Sequence, residues 1–373
     1  MDHPSAAYVG FDTSKAKHAV AIAEGGRAGE VRYLGEIEAA PAAVERLLRK
    51  LERQDKTLHV CDEAGPTGYG LYRHIRALGH ACDVIAPSLV PKRPGDRVKT
   101  NRRDAVTLAR LLRAGALTPI WVPDEVHEAV RDLVRARDAA AQDLRHKRQQ
   151  VLSFLLRHGR TFTGHRHWSR AHLRWLAGQA FTHPAQQIVF QDQVDAVADA
   201  QARLERLDRQ LDRQLADLVP TWSMAPVVAA CQAMRGVSVL VAVTFVAEIG
   251  DVRRFESPRQ LMAFLGLVPS ERSTGDTVRR GGLTLAGNRR VRRALVEGAW
   301  SYRHPARVTE TIRVRLEGLP KAVREIAWKA QVRLCPRYRR LIAAGKRAPV
   351  AVAAIAREMA AFLWAIGRVV EPA

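Results

Sequence analysis

The stretch Ala6–Asp12, AAYVGFD, decides the interpretation of the first part of the chain. It is mostly apolar up to Phe11 and ends on an acid, which is typical of a buried strand that carries a carboxylate to its carboxyl end. A short polar turn leads to a second apolar run at His18–Ala23, and a Gly-Gly turn leads to a third at Val31–Ile37. Three consecutive strands with short connections predict an antiparallel meander.

The segments that follow alternate between helical and strand patterns. Their order is a helix at Ala43–Leu51, a strand at Leu58–Cys61 that runs into Asp62 and Glu63, a helix at Gly70–Leu78 and a strand at Cys82–Ala86. A β-β-β-α-β-α-β order followed by a further helix predicts an α/β RNase H-like domain of the RuvC type. In that arrangement the first and fourth strands lie side by side as a parallel pair, so that their carboxyl ends meet.

Acidic side chains stand where that fold brings strand ends together. Asp12 ends the first strand and Glu63 follows the fourth, while Asn101 and Asp104 lie in the first turn of a helix that opens within Lys99–Ala105. Hard divalent cations such as Mg²⁺ bind several carboxylate oxygens held close together, and two such ions can clamp a phosphoryl transfer. An Asn followed three residues later by an acid is also typical of a helix cap, and the two roles are compatible.

The composition agrees with a polyanionic partner. The 373 residues include 60 Lys and Arg against 38 Asp and Glu, a net charge of +22, so nucleic-acid affinity should fall steeply with salt. The cysteines have no paired spacing, which suits a reducing compartment and argues against a zinc finger. They are Cys61, Cys82, Cys231 and Cys335. Without an apolar run of ~18 residues or a signal peptide, we expect no membrane segment and a cytoplasmic, nucleoid-associated protein.

Long helices are predicted after Trp121. Apolar residues recur at helical spacing over Val126–Leu155 and again over Val194–Leu218, where the second stripe ends before Pro220. Two such helices predict an antiparallel or intermolecular coiled coil, an arm that provides an oligomerisation surface.

A basic, aromatic stretch, Arg157–Trp175, separates the two helices. We predict phosphate contacts in this stretch, with Arg166 and Trp168 as nucleic-acid-binding residues and bases or sugars stacking on Trp168 or Trp175. Packing of Trp168 and Trp175 at the tip of the coil is the alternative. A metal role is disfavoured for the clustered histidines because no carboxylate or Cys accompanies them. These histidines are His165, His167 and His172.

The third region is predicted to be mostly helical. Met234–Phe255 has the pattern of a glycine turn and an apolar helix, as in a helix-hairpin-helix element that holds a phosphate through backbone N–H groups, although a plain helical hairpin gives the same pattern. Ser273 lies in a loop flanked by arginines, which suit a polyanionic substrate. The candidate nucleic-acid-binding arginines are Arg279, Arg280, Arg289, Arg290, Arg292 and Arg293.

Five blocks of sequence resemble one known family in the same order. Phe11–His18, Asp62–Tyr72 and Arg97–Ala105 resemble the three catalytic blocks of the DEDD transposases of insertion-sequence family 110, most closely subgroup 1111. Gly266–Gly275 and Gly281–Asn288, with the RRVRRALVEGAW that follows, resemble that family's second conserved domain. The resemblance therefore covers nearly the whole chain.

The resemblance implies a recombinase that excises and inserts its own element. Some members are guided by an element-encoded structured RNA that pairs with donor and target DNA, and the acids of one subunit cooperate with the serine of another in a homo-oligomer, here a dimer or tetramer. By resemblance, Asp12, Glu63, Asp104 and the residue at 101 bind Mg²⁺. Position 101 is Asn rather than the family's acid, which should lower metal affinity, although Asp96 is an acid nearby.

The resemblance also implies a serine nucleophile that attacks DNA. The family's serine directly precedes a glycine, whereas this chain reads Ser273, Thr274, Gly275. Ser273 is therefore the favoured nucleophile and Thr274 the alternate.

We predict three domains: a catalytic domain at 1–120, a helical arm at 121–222 and a C-terminal domain at 223–373. Two other functions remain open from the sequence. One is a metal-dependent nuclease or Holliday-junction-type resolvase without a serine intermediate, and the other is a nucleic-acid-binding transposase remnant that Asn101 has impaired.

Overall fold

The computed structural model describes residues 6–26, 28–53, 57–91, 100–218 and 221–372, without the side chains of 215–218. Two compact units are present, one ending at Val122 and the other beginning at Pro123. The predicted boundary between arm and C-terminal domain falls inside the second unit and stays a prediction. Several positions named above, Asp96, residues 97–99 of the third block and Pro220, lie outside the described residues.

The first unit is a mixed α/β domain around a five-stranded sheet. Its elements are β1 (Ala6–Thr13), β2 (Lys17–Glu24), β3 (Val31–Glu38), α1 (Pro41–Glu52), β4 (Thr57–Glu63), α2 (Gly70–Ala77), β5 (Ala81–Ile85) and α3 (Asn101–Arg113). The sheet order is β3-β2-β1-β4-β5. β1 and β2 are antiparallel, as are β2 and β3, while β4 is parallel to both β1 and β5. The predicted element order and parallel pairing are confirmed.

The two faces of this sheet carry residues of different size. On one face, apolar residues of β1, β2 and β4 form a core with α1 and α2 that includes Val9, Phe11 and Ile22. On the other face, three alanines of β2 pack with two alanines of α3. They are Ala19, Ala21 and Ala23 of β2 and Ala105 and Ala109 of α3. Strand residues alternate between the two faces of a sheet, so these alanines of β2 share one face. Because their side chains are small, α3 can lie close to the sheet.

The second unit is mostly helical. Its elements are α4 (Glu125–Arg157), α5 (Arg170–Ala177), α6 (Pro184–Leu218), α7 (Ala225–Cys231), α8 (Val239–Ile249), α9 (Pro258–Phe264), β6 (Pro269–Glu271), β7 (Arg280–Leu283), α10 (Arg289–Ala299), α11 (Glu310–Leu316), α12 (Lys321–Ala343) and α13 (Ala348–Val369). The short hairpin of β6 and β7 was not predicted from the sequence.

The long helices α4 and α6 pack against each other as an antiparallel pair. Their shared apolar core includes Leu144, Val151, Leu155 and Val197, positions that belong to the two predicted stripes. As the residue number rises along α4, the number of its polar partner on α6 falls, which shows that the two helices are antiparallel. These pairs are Arg137 with Asp208 at 2.7 Å, Asp143 with Arg203 at 3.9 Å and Arg148 with Gln201 at 3.0 Å.

The C-terminal helix α13 is the central helix of the second unit's main core. Among the described residues it alone is long and apolar enough to cross a membrane by length and composition, so the expectation that no apolar run reaches this length is wrong. Half of its apolar window is buried inside the protein, and residues such as Ile355, Met359 and Leu363 are fully buried beside neighbouring helices. Its apolar character is therefore accounted for by its place in the core.

His127 joins the start of α4 to α8. Its Nε2 lies 2.9 Å from the backbone oxygen of Ala247, and the Nε1–H of Trp222 lies 3.2 Å from its Nδ1. A carbonyl oxygen only accepts and an indole N–H only donates, so the imidazole is neutral with its proton on Nε2. Burial, the largest influence, lowers the pKa of His127 below the ordinary 6.5.

The second unit should therefore lose stability as the pH falls below about 6.5. The unfolded chain binds a proton at His127 near that pH, whereas the folded chain resists it until the pH is lower, so acid favours the unfolded state. We expect His127→Gln to flatten the dependence of the free energy of unfolding on pH between 7.5 and 5. Urea titrations at several pH values measure this. The exposed His183→Gln serves as the control, and an unchanged slope in His127→Gln would rule the explanation out.

Candidate functional site

The pairing of β1 with β4 places Asp12 beside Glu63. Phe11 is the register partner of Asp62 and Gly10 that of Cys61, so the next residues of the two strands, both acids, adjoin at neighbouring carboxyl ends. Because side chains alternate along a strand, Asp12 shares a face with Gly10, and Glu63 shares a face with Cys61.

That face is the one covered by α3. A Cβ built on Gly10 would lie 2.6 Å from the backbone nitrogen of Ala109 and 2.7 Å from the backbone oxygen of Ala105. Cys61 packs in a small cluster with Leu108 of the same helix. The helix backbone therefore rests directly on the strand two residues before Asp12.

The direction of α3 brings its first turn to the acidic edge. At the other end of the helix, the Nη1 of Arg113 donates to the backbone oxygens of Glu24 at 3.1 Å and Gly29 at 2.7 Å. Glu24 is the register partner of Ala7 at the start of β1. The helix thus runs opposite to β1, and Asp104 in its first turn lies toward the end of the strand that bears Asp12.

Thr100 caps this helix. Its Oγ1 accepts the backbone N–H of Arg103 at 3.3 Å, the usual role of a threonine before the first helical residue. The sequence-based alternative in which Asn101 is the cap is therefore wrong. Asn101 is instead the first helical residue and is exposed, whereas Asp104 is half-buried.

The residues at this edge fit a hard divalent cation. Asp12, Glu63 and Asp104 offer carboxylate oxygens and Asn101 offers an amide oxygen, which are the ligand types that Mg²⁺ accepts. Among the residues that the structure describes, no three His, Cys, Asp or Glu side chains are already gathered tightly enough to hold an ion. The acids share an edge, and side-chain rotation would have to complete a metal site there.

Two residues at the edge of this site were missed from the sequence. Tyr33 of β3 carries the guanidinium of Arg102 over its ring at 5.4 Å. Burial, followed by the negative charges of Glu36 and Asp12, raises the pKa of Tyr33. Arg102 follows Asn101 directly, so a cation and a phenol accompany the acids. Only the register of β2 with β3 reveals this proximity.

Asp62 and Glu63 differ in environment although they are adjacent. Asp62 lies on the opposite face of β4 and is 1% exposed. Its Oδ1 has no hydrogen-bond partner among the described residues, and burial raises its pKa to about 7. The choice of Glu63 rather than Asp62 as the candidate ligand therefore agrees with the strand register.

Ser273 lies in the β6–β7 hairpin and is exposed. Its Oγ–H donates to the Oε1 of Glu271 at 2.8 Å, and the Nε of Arg280 donates to the Oε2 of the same carboxylate at 3.3 Å. Thr274 and Thr277 exchange two backbone hydrogen bonds of 3.1 Å that close the turn. Between them Gly275 has a φ of 55°, the left-handed region that favours glycine.

The six candidate arginines have different surroundings. Arg279, Arg280 and Arg289 are exposed. Arg290 and Arg293 form ion pairs with Asp138 of α4, which is buried. The sixth, Arg292, donates through Nη1 to the backbone oxygens of Leu265 at 2.8 Å and Ala286 at 2.9 Å. Nucleic-acid binding by all six stays a prediction, and three of them also stabilise the domain.

A buried polar network ties the segment after the hairpin to α4 and α8. Asn288 caps α10 by accepting the N–H groups of Arg290 and Val291 at 3.0 and 3.1 Å. Its Nδ2 donates to Glu248 at 2.7 Å, and Arg135 binds the same carboxylate at 2.8 and 2.9 Å. Burial acts to raise the pKa of Glu248, but these donors outweigh it and the pKa is lowered. The network was not apparent from the sequence.

At the tip of the α4–α6 pair, Trp168 and Trp175 pack against the apolar core. His172 is fully buried, accepts the backbone N–H of Trp168 at 3.0 Å and stacks on Trp175. This packing agrees with the structural alternative for both tryptophans. The adjacent Arg166 is exposed, and nucleic-acid contacts by Arg166 and Trp168 stay a prediction.

Comparison with known proteins gives two family matches, one over the segment with the candidate acids and one over the segment with Ser273. A DEDD transposase profile named for insertion sequence IS110 matches residues 9–159, which include the candidate acids. A profile described as "Transposase IS116/IS110/IS902 family" matches residues 229–312, which include Ser273.

Two relatives match along most of the chain. The y4qE protein of Sinorhizobium fredii, assigned as a transposase, is 56% identical over 362 residues, which cover 97% of this chain and 88% of that protein. The transposase for insertion sequence element IS1533 of Leptospira borgpetersenii is 30% identical over 343 residues, 90% of this chain and 96% of that protein.

The contact between α3 and Gly10 predicts the effect of one added methyl group. Gly10→Ala should lower the free energy of unfolding of the first unit by about 1–3 kcal/mol, the usual cost of overpacking, because the new Cβ meets helix backbone. Gly70→Ala is the matched control, since a Cβ there meets nothing within 4 Å. Urea unfolding of the two variants checks the prediction. Equal stability of the two variants would contradict the close packing.

Proposed function

The chain belongs to the IS110 family of transposases, and from that premise we propose that it excises and inserts its own insertion sequence through an acidic metal site and a serine nucleophile. The observation that carries the proposal is the shared edge of β1, β4 and α3. There Asp12 and Glu63 adjoin through the strand register, and the first turn of α3 brings Asp104.

In this proposal the first unit holds Mg²⁺ through Asp12, Glu63, Asp104 and the amide of Asn101. When bound, the cation would stabilise the charge that develops on the phosphate oxygens during strand cleavage. Asn101 contributes an oxygen without charge, so we infer weaker metal binding than four acids would give. Arg102, held over Tyr33, supplies a fixed positive charge beside these acids for the DNA backbone.

Ser273 supplies the nucleophile in the second unit. A serine that attacks a phosphodiester forms a covalent link to DNA, and the link preserves the bond energy needed to rejoin the strand to a new partner. The exposed position of Ser273 on a closed hairpin turn leaves its hydroxyl accessible to a large substrate. Thr274 follows directly and is the alternate nucleophile.

The partners in the proposal are donor DNA, target DNA and an element-encoded guide RNA of the kind used by some family members. The antiparallel helices α4 and α6 serve as a coiled-coil arm that joins subunits into a dimer or tetramer, so that the acids of one subunit act with the serine of another. Exposed Arg279, Arg280 and Arg289 contact nucleic acid. The protein acts in the cytoplasm, at the nucleoid. Within the IS110 family, the chain belongs to subgroup 1111.

The proposal is tested by excision and insertion in cells that carry the element with its native flanking sequence. Ser273→Ala should reduce both products by orders of magnitude, because removal of a covalent nucleophile abolishes the step that it performs. Thr274→Ala should retain activity and is the matched control. Asp12→Ala and Asp104→Ala should be as inactive as Ser273→Ala.

Three outcomes would contradict parts of the proposal. Full activity of Ser273→Ala with loss in Thr274→Ala would move the nucleophile by one residue. Strand cleavage that survives both substitutions, without rejoining, would favour the metal-dependent nuclease or resolvase. Activity of the Asp12→Ala chain would exclude the acidic metal site.

A further inference from the structure

We propose that Glu271 accepts the proton of Ser273 during strand cleavage and that Arg280 holds Glu271 in position for this role. The inference rests on the proposed function of Ser273 as the nucleophile. It adds a catalytic carboxylate to the hairpin that bears Ser273.

The geometry of the three side chains supports this role. The Oγ of Ser273 lies 2.8 Å from the Oε1 of Glu271, within the normal range for a hydroxyl donating to a carboxylate. Arg280 binds the other carboxylate oxygen at 3.3 Å, so each oxygen of Glu271 has one partner. Enzymes activate a hydroxyl through this kind of arrangement, in which the nucleophile is hydrogen-bonded to a proton acceptor and a third group orients the acceptor.

The hairpin itself fixes these positions. Glu271 and Arg280 are register partners across β6 and β7, so the carboxylate and the guanidinium lie opposite each other. Ser273 follows Glu271 by two residues, and side chains two apart in extended backbone lie on the same side. Thr274 is three residues from Glu271 and forms the closing backbone pair of the turn with Thr277. The arrangement therefore favours Ser273 over Thr274.

Electrostatics keep Glu271 in its acceptor form. The hydrogen bond from Ser273, and then the bond from Arg280, lower the pKa of the carboxyl group, so it is ionised at neutral pH. Glu271, Ser273 and Arg280 are exposed in the free protein. A bound phosphodiester would displace water from them, which strengthens the interaction between the hydroxyl and the carboxylate.

The proposed step balances within the protein, DNA and water. The Ser273 Oγ–P bond forms as the hydroxyl proton passes to Glu271, and the bond from phosphorus to the leaving sugar oxygen breaks, with that oxygen taking a proton from water. In the rejoining step a sugar hydroxyl attacks the same phosphorus and gives its proton to the hydroxide that the first step left. The Oγ of Ser273 then leaves and regains its proton from Glu271, so neither an oxidant nor a nucleotide is needed.

The test measures covalent protein–DNA adduct formation by the full-length protein with element-end DNA and RNA transcribed from the flanking sequence. Glu271→Gln keeps the size and a hydrogen-bonding oxygen but removes the basic carboxylate. We expect its adduct rate at pH 7 to fall at least about a hundredfold, the lower end of what a general base contributes. Asp276→Asn makes the same charge change in the same exposed turn and should stay within about twofold of the unmodified protein.

The pH profile separates a proton acceptor from a residue that only shapes the hairpin. In Glu271→Gln the rate should rise more steeply with pH than in the unmodified protein, because hydroxide replaces the missing acceptor. A parallel profile with a lower rate would overturn the proton-transfer role. DNA affinity measured on the same samples should be unchanged to within about threefold, and a loss of affinity that accounts for the entire rate decrease would also overturn the role.

Ser273→Ala distinguishes failure of this inference from failure of the proposed function. If Ser273→Ala forms no adduct while Glu271→Gln forms it at the normal rate, Ser273 remains the nucleophile and Glu271 is not its proton acceptor. If Ser273→Ala still forms the adduct, the nucleophile itself has been misplaced and the role of Glu271 fails with it.

Discussion

The close contact between α3 and Gly10 determines the geometry of the acidic site. Backbone atoms of the helix occupy the space that a side chain at position 10 would need. The alanines of β2 and α3 are small and allow a short distance between the helix and the rest of this face. The same contact sets the first turn of α3 against the end of β1. Asp12, Glu63 and Asp104 come from three separate segments, and this packing, together with the parallel register of β1 and β4, brings them to one edge.

Much of the first unit could be predicted because β1, β2 and β4 are short, mostly buried apolar runs and β3 alternates regularly, and turn residues bound them, which is typical of strands. The sequence pattern predicts a strand that ends at two acids, Asp62 and Glu63. Only the register shows that Glu63 lies on the face covered by α3 and that Asp62 is buried on the other face. The helix cap at Thr100 was missed, because the Asn-and-acid pattern next to it resembles a cap equally well.

The second unit was harder to predict because its informative contacts are distant in sequence or lack an apolar pattern. Strands β6 and β7 are short and mostly exposed, so no alternation of buried residues marks them. The arginines of α10 look like a nucleic-acid surface in composition, yet Arg290 and Arg293 bind Asp138 more than 150 positions earlier in the chain. Part of the positive charge therefore stabilises the domain, and the exposed hairpin arginines are better placed to contact a polyanion.

Binding of Mn²⁺ to the full-length protein, measured by electron paramagnetic resonance in unmodified, Glu63→Gln and Asp62→Asn chains, tests the central claim most directly. The two substitutions replace a carboxyl group by an amide at adjacent residues on opposite faces of β4. The strand register predicts that Glu63→Gln weakens Mn²⁺ binding at least about tenfold, since a charged ligand is lost, and that Asp62→Asn binds as the unmodified protein does. Loss of binding in Asp62→Asn with retention in Glu63→Gln would contradict the assigned site.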